Sequence, residues 1–363
     1  MLLAGCASTP PYQESQWPAV TRSVVGTPAV IDRRAEFREQ FCALLHPAGV
    51  ATVGREGCAD YLWRLPDEKP INHSRAASYP TVVRATVLVV GGAFGDCFPP
   101  STTPFVDGAA RMRSADLQID YIDVSGRSSS QINAKIIENR IALLESQEGR
   151  PLILLGYSKG VADILEALTR YPQIADKISA VVSVAGAVEG SPLAARYDGL
   201  YSTWLKNRRL GSCPPGDGGV LDSLTPAKRL NWLADHPLPT HIKYYSLGSF
   251  TTPPGLARSL RGSYRALSRI DARNDGQLLA SDEIIPGSTL LGYAKADHWA
   301  VAINLEDRFP FLAHRSLGTH PFPQRVLFEA ILRFVSGDLA RSSGPVVDAD
   351  SLRMRLVNRE PRP

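Results

Sequence analysis

Ser158 is the residue best placed for covalent chemistry. It stands in Gly156-Tyr157-Ser158-Lys159-Gly160, a G-x-S-x-G pattern. Leu152, Ile153, Leu154 and Leu155 precede it and read as a strand buried on both faces. Val161, Ile164, Leu165 and Leu168 follow at the spacing of an amphipathic helix. A sharp turn from strand to helix strains its turning residue, and flanking glycines let neighbouring chain pass close by. Such a turn lifts a serine hydroxyl clear of the sheet, where it can attack an acyl carbon. A structural serine in a tight turn is the alternative. A serine hydroxyl is a weak nucleophile, so the chemistry also needs a base, itself oriented by a third group.

Acyl attack further requires donors for the oxygen that becomes charged. Residues 82–90 are rich in β-branched side chains and end in Gly91-Gly92-Ala93-Phe94-Gly95-Asp96. A glycine-rich loop after a buried strand brings backbone N–H groups close to a ligand. The expected donors are the N–H of Ala93 or Phe94 and the N–H of Lys159; a plain strand-to-loop turn is the competing reading. Lys159 puts a cation at the first helical position, against the helix dipole. Asp163, four residues on, is its expected partner. A sharper reading has Lys159 attract an anionic substrate.

The surrounding elements must hold these groups. Strands are expected at 82–90, 117–124, 178–185, 241–247 and 288–294, besides the one before Ser158. Helices are expected at 133–147, 255–269 and 323–335. Alternation of this kind implies a parallel sheet with right-handed crossovers. Residues 1–30 read as a leader and tether, and 31–336 as one domain. Within it, 31–80 form a helical layer, with helices at 32–45 and 57–63. Residues 187–240 hold Tyr197, Tyr201, Trp204 and Trp232 among prolines and glycines, which suggests an inserted cap or lid. These aromatics equally fit the insertion's own core. Residues 337–363 read as a mobile tail.

The order serine, acid, histidine now becomes specific. Gly156-Tyr157-Ser158-Lys159-Gly160, Asn274-Asp275-Gly276 and Asp297-His298 together resemble α/β-hydrolases of the esterase and lipase type. The segment Gly190-Ser191-Pro192-Leu193-Ala194 adds to the likeness, which spans about residues 80–336. The resemblance implies an α/β fold, a mostly parallel sheet with helices on both faces and an inserted cap. It also implies Ser158 as nucleophile, His298 as base and acid, and Asp275 as the group that holds the imidazole. His314 and His320 also lie late in the chain, and Asp271 and Asp282 compete with Asp275. Asp297 is expected to orient the loop. The chain departs from the lipases in having Gly91-Gly92 where they carry a His-Gly pair. The implied activity is hydrolysis of carboxylic esters through an acyl-enzyme. Phospholipase, thioesterase and amidase lie within the same class; a non-catalytic envelope binding or scaffold protein is the reading outside it.

Composition bounds the partners. The chain has 363 residues, 44% hydrophobic and 21% charged, as in ordinary globular proteins. A net charge of +4 without a dense Lys/Arg block argues against nucleic acid. No apolar run is long enough to span a bilayer. No His-Glu-x-x-His, Cys-x-x-Cys, Walker or dinucleotide pattern is present, so neither metal nor cofactor is expected. Leu3-Ala4-Gly5-Cys6 resembles the lipobox of bacterial lipoproteins. That resemblance implies acylation of Cys6 and a lipid-anchored place in the cell envelope. A signal peptide needs an apolar core of roughly 7–15 residues, so the translation start is expected upstream. The other cysteines, Cys42, Cys58, Cys97 and Cys213, are even in number, as exported disulfide proteins require. The favoured pairing is Cys42–Cys58, a short local loop, with Cys97–Cys213; four free thiols are the alternative.

Overall fold

The computed structural model describes residues 29–45, 56–68, 84–114, 116–144, 150–208, 213–305 and 322–342. The described residues open with β1 (Ile31–Asp32), α1 (Arg34–Leu45) and the single turn α2 (Glu56–Ala59). Then come β2 (Ala85–Val90), α3 (Val106–Met112), β3 (Leu117–Ile122) and α4 (Ser130–Ala142). The centre is β4 (Leu152–Tyr157) and α5 (Lys159–Arg170), followed by α6 (Pro172–Ala175) and β5 (Ala180–Val184). After α7 (Pro192–Leu200) and α8 (Pro226–Asp235) the chain returns as β6 (Lys243–Ser249). It closes with α9 (Arg261–Leu267), β7 (Thr289–Ala294) and α10 (Gln324–Ser342).

The seven strands form one sheet in the order β1-β7-β6-β5-β4-β2-β3, and every pairing is parallel. Strands β2, β4, β5 and β7 are buried at every position, as their continuous apolar runs require once helices cover both faces. Phe37 and Phe41 of α1 cover one face with Phe328 and Ile331 of α10. Ile137 of α4, Ile164 of α5 and Leu233 of α8 cover the other. The fold class is therefore α/β, a parallel sheet with helices on both sides. Parallel strands all end at the same edge of the sheet, and this edge carries the site.

Four features differ from the sequence reading. β1 is an unforeseen edge strand, only two residues long, paired with β7 through Ile31 and Asp32. The helix expected at 255–269 begins instead as two 3-10 turns, Pro253–Gly255 and Arg258–Leu260, and becomes α-helical only in α9. Part of the expected cap, α8, belongs to the sheet's covering layer, because Leu233 and Trp232 pack into the core beside Ile164. The expected tail begins too early. α10 runs through Gly337 to Ser342, held by Asp338, which bonds Arg33 just ahead of α1 and the Tyr245 hydroxyl of β6.

The rest of the insertion is fastened to the loops near the carboxyl edge. Buried Arg127 donates to the carbonyls of Leu205 (2.6 Å), Lys206 (3.0 Å) and Arg208 (2.6 Å), and to the Tyr201 hydroxyl (2.9 Å). The chain continues from α7 into a π-helical turn, Tyr201–Leu205, and the cation satisfies carbonyls left open where that turn ends. Disulfides join Cys42 to Cys58 and Cys97 to Cys213, the pairing the sequence favours. The second ties the loop after β2 to the insertion.

Candidate active site

Ser158 sits between β4 and α5 with φ 56° and ψ −128°, a strained conformation for a side chain with a Cβ. The strain persists because the neighbours leave no room to relax. A Cβ on Gly160 would stand 2.3 Å from the Val90 carbonyl oxygen, so only glycine lets α5 start against the end of β2. Gly92 meets the serine from the other side: a Cβ there would lie 2.8 Å from Ser158 Cβ. The pattern glycine and the loop glycine thus press the turn between them.

His298, in the loop after β7, reaches the serine. Its Nε2 lies 2.9 Å from Ser158 Oγ, and its Nδ1 lies 2.5 Å from Asp275 Oδ2. Nδ1–H donates to the carboxylate, so in the neutral ring Nε2 is free to accept the serine proton. Asp275 is fully buried. Its Oδ1 accepts the N–H groups of Gln277 (2.8 Å) and Leu278 (2.7 Å), the fold-back of the Asn-Asp-Gly turn. The backbone joins the pair again, because His298 N–H donates to the Asp275 carbonyl at 2.9 Å. Asp297 accepts from the N–H groups of Ala257, Trp299 and Ala300, and so shapes the histidine loop. Burial pushes its carboxyl up despite those three donors.

The competing residues go elsewhere. Asp271 pairs with Arg273, and Asp282 accepts from Ser281 Oγ. His236 stacks on Trp232, and His241 bonds the Ala175 carbonyl. Cys6, His46, His73, His314 and His320 lie outside the described residues.

One of the two loop donors is corrected. The Phe94 N–H is bonded to the Gly126 carbonyl at 2.8 Å and cannot serve a substrate oxygen. The Ala93 N–H has no partner among the described residues and follows Gly92, which touches the serine. The Lys159 N–H, at the first helical position, has no carbonyl in the helix behind it to bond. The Lys159 side chain turns inward. It is 1% exposed and its Nζ lies 2.5 Å from Asp163 Oδ1, whose other oxygen accepts from Asn133 Nδ2. The Asp163 carboxylate offsets the conflict between this cation and the helix dipole, and a buried, paired ammonium offers nothing to an anionic substrate.

No protein-family model and no curated protein sequence matches the chain. Solved structures do. The metagenomic carboxyl esterase MGS0156 is 36% identical over 88% of this chain and 97% of its own, with a TM-score of 0.78. The chain belongs to the esterases of the α/β-hydrolase fold. Bacillus licheniformis lipase BlEst2 in its propeptide form is more distant, at 20% identity over 67% of this chain and 51% of its own, TM-score 0.50. That likeness concerns the fold alone.

Within this esterase fold, three neighbours of the site escaped the sequence reading. The Tyr157 hydroxyl donates to the His298 carbonyl at 2.5 Å and pins the histidine loop to the nucleophile strand. Burial, with Asp275 beside it, raises this phenol well above its usual range. Ser249, at the end of β6, bonds Asp275, and Glu283 bonds Ser249. Tyr157 adjoins Ser158 and was open to suspicion on that ground. No spacing in the sequence singles out the other two.

Proposed function

We propose that this chain hydrolyses carboxylic esters through an acyl-enzyme formed on Ser158. The observation that carries this reading is the His298 ring, which spans Ser158 Oγ at 2.9 Å and Asp275 Oδ2 at 2.5 Å. Membership of the esterases supports the same reaction class. In the first half-reaction Ser158 Oγ attacks the ester carbonyl carbon while its proton passes to His298 Nε2. Asp275 holds the resulting imidazolium. The oxyanion is held by the N–H groups of Ala93 and Lys159. The tetrahedral adduct collapses, and the leaving alcohol takes the proton from Nε2. Water then attacks the acyl carbon, gives a proton to Nε2, and the acid departs as Ser158 is reprotonated.

Labelling by a fluorophosphonate tests this. The native chain should label at Ser158, and Ser158→Ala and His298→Ala should not, while p-nitrophenyl ester hydrolysis falls with labelling. Native, folded protein that takes no label argues against the reading.

The reading extends to location: a lipid anchor on Cys6 in the bacterial cell envelope. Leu3-Ala4-Gly5-Cys6 supports it, and so do two disulfides, bonds that persist in oxidising compartments. Two acyl chains on one residue suffice for stable anchoring. Expressed from its native gene, the protein should incorporate labelled palmitate and sediment with membranes. Cys6→Ser should abolish both; incorporation that survives the substitution counts against Cys6.

A further inference from the structure

We propose that Ser249 is a positioning residue for this hydrolysis: its hydroxyl tunes the Asp275 oxygen that holds His298, and Glu283 fixes Ser249 from behind. The inference rests on the triad reading above. Ser249 is fully buried at the carboxyl end of β6. Its Oγ–H donates to Asp275 Oδ2 at 3.1 Å, the same oxygen that receives His298 Nδ1–H. With Gln277 and Leu278 on Oδ1, the four acceptor sites of the carboxylate are filled. Removing the serine hydroxyl would leave one of them open in a buried site. More negative charge would then face the imidazole, and its protonated form would be held more strongly.

Glu283 explains how the serine is kept in place. The Ser249 N–H donates to Glu283 Oε2 at 2.6 Å. Glu283 is fully buried, and its Oε1 has no partner among the described residues. Burial, and then the charge of Asp275, push its carboxyl well above the usual range. A neutral Glu283 gives the Ser249 N–H an acceptor without adding a second negative charge beside Asp275. The other titratable groups facing this unit are Tyr157 from β4, Asp297 from the loop after β7, Asp282 on the turn carrying Glu283, and Tyr293 of β7. None of them is altered in the variants below.

The test compares pH–rate profiles of native enzyme, Ser249→Ala, Ser249→Thr and Glu283→Gln on one p-nitrophenyl ester, normalised by fluorophosphonate titration of active sites. Loss of one hydrogen bond should raise the midpoint of the acid limb in Ser249→Ala by about 0.5–1 pH unit. It should lower kcat about five- to tenfold with KM within about twofold. Ser249→Thr keeps the hydroxyl and should restore both. Glu283→Gln should leave the acid limb in place, because a neutral amide oxygen accepts the same N–H. An acid limb unmoved in Ser249→Ala reduces Ser249 to packing, whatever the rate, and overturns the inference. An acid limb lowered in Glu283→Gln shows a charged Glu283 and overturns its part. Should Ser249→Ala fail to fold, Ser249→Cys takes its place: a thiol is a weak donor, so the acid limb should again rise, and one left at the native midpoint overturns the inference. A Ser158→Ala protein that still hydrolyses the ester at the native rate would instead remove the triad reading itself.

Discussion

Asp275 can be changed by a single atom with its surroundings unchanged, which makes it the sharpest probe of the site. In Asp275→Asn the N–H groups of Gln277 and Leu278 still demand an acceptor, so the amide oxygen takes the Oδ1 place. The amide NH2 then faces His298 Nδ1, which must accept rather than donate. The ring carries its proton on Nε2 and can no longer take one from Ser158. Steady-state kinetics should show kcat reduced about 10³–10⁴-fold with KM within about twofold. A loss smaller than about tenfold would mean that Asp275 does not set the tautomer. Ser158, Asp275 and His298 were legible because their chemistry demands those residue types in that order. Ser249 and Glu283 were not, since their roles depend on where β6 ends against a turn over thirty residues later in the chain. Phe94 misled for a related reason: its N–H is taken by Gly126, a partner that no local pattern announces.

Elements were read well where their residues are buried on both faces, as in β2, β4, β5 and β7. They were read poorly where tertiary contacts decide. β1 is too short for any periodicity, and Trp232 of α8 counts in the sequence among the cap's aromatics, whereas in the fold it packs with Leu233 into the core. The meeting of the β2 loop with the serine turn makes its own prediction. Gly92 has no positive φ, so alanine suits its backbone; the obstacle is Ser158 Cβ at 2.8 Å. Gly92→Ala should therefore fold, displace the serine from the Ala93 N–H, and lower kcat/KM about 10²-fold. Unchanged hydrolysis would show that the loop and serine do not need this approach. The Cys97–Cys213 bridge fastens the same loop to the insertion across a sequence separation of 116. Replacing both cysteines by serine should cost about 2–4 kcal/mol in denaturant unfolding. A double variant as stable as the native protein would remove the bridge from the forces that hold the insertion.

At the scale of the whole molecule, the N-terminal layer is part of the core. Trp63 stacks on Phe250 at 4.7 Å and donates to its carbonyl, and Phe37 meets Phe334 edge-on. Polar closure is provided by Asp338, the residue that carries α10 past its expected end. It takes Arg33, just ahead of α1, at 2.5 Å, Lys243 of β6 at 3.3 Å and the Tyr245 hydroxyl at 2.7 Å, so it joins the two ends of the domain to the sheet. Burial alone would raise its carboxyl; the Tyr245 hydroxyl and the two cations outweigh this and hold it at about 2, against an ordinary 3.8. A carboxylate that is more acidic in the folded state stabilises it above the unfolded value. That gain disappears as pH falls through the folded one. Discounted for partial exposure, it is worth about 1–2 kcal/mol near neutrality. Asp338→Asn should lower unfolding free energy by that amount at pH 7, with the gap to the native protein full above about pH 5 and nearly closed by about pH 2. Urea titrations of both proteins across that range provide the measurement. A gap that stays constant down to pH 2 would assign the loss to the hydrogen-bond geometry of the asparagine, and would remove the charge of Asp338 as the clasp between the two ends of the domain.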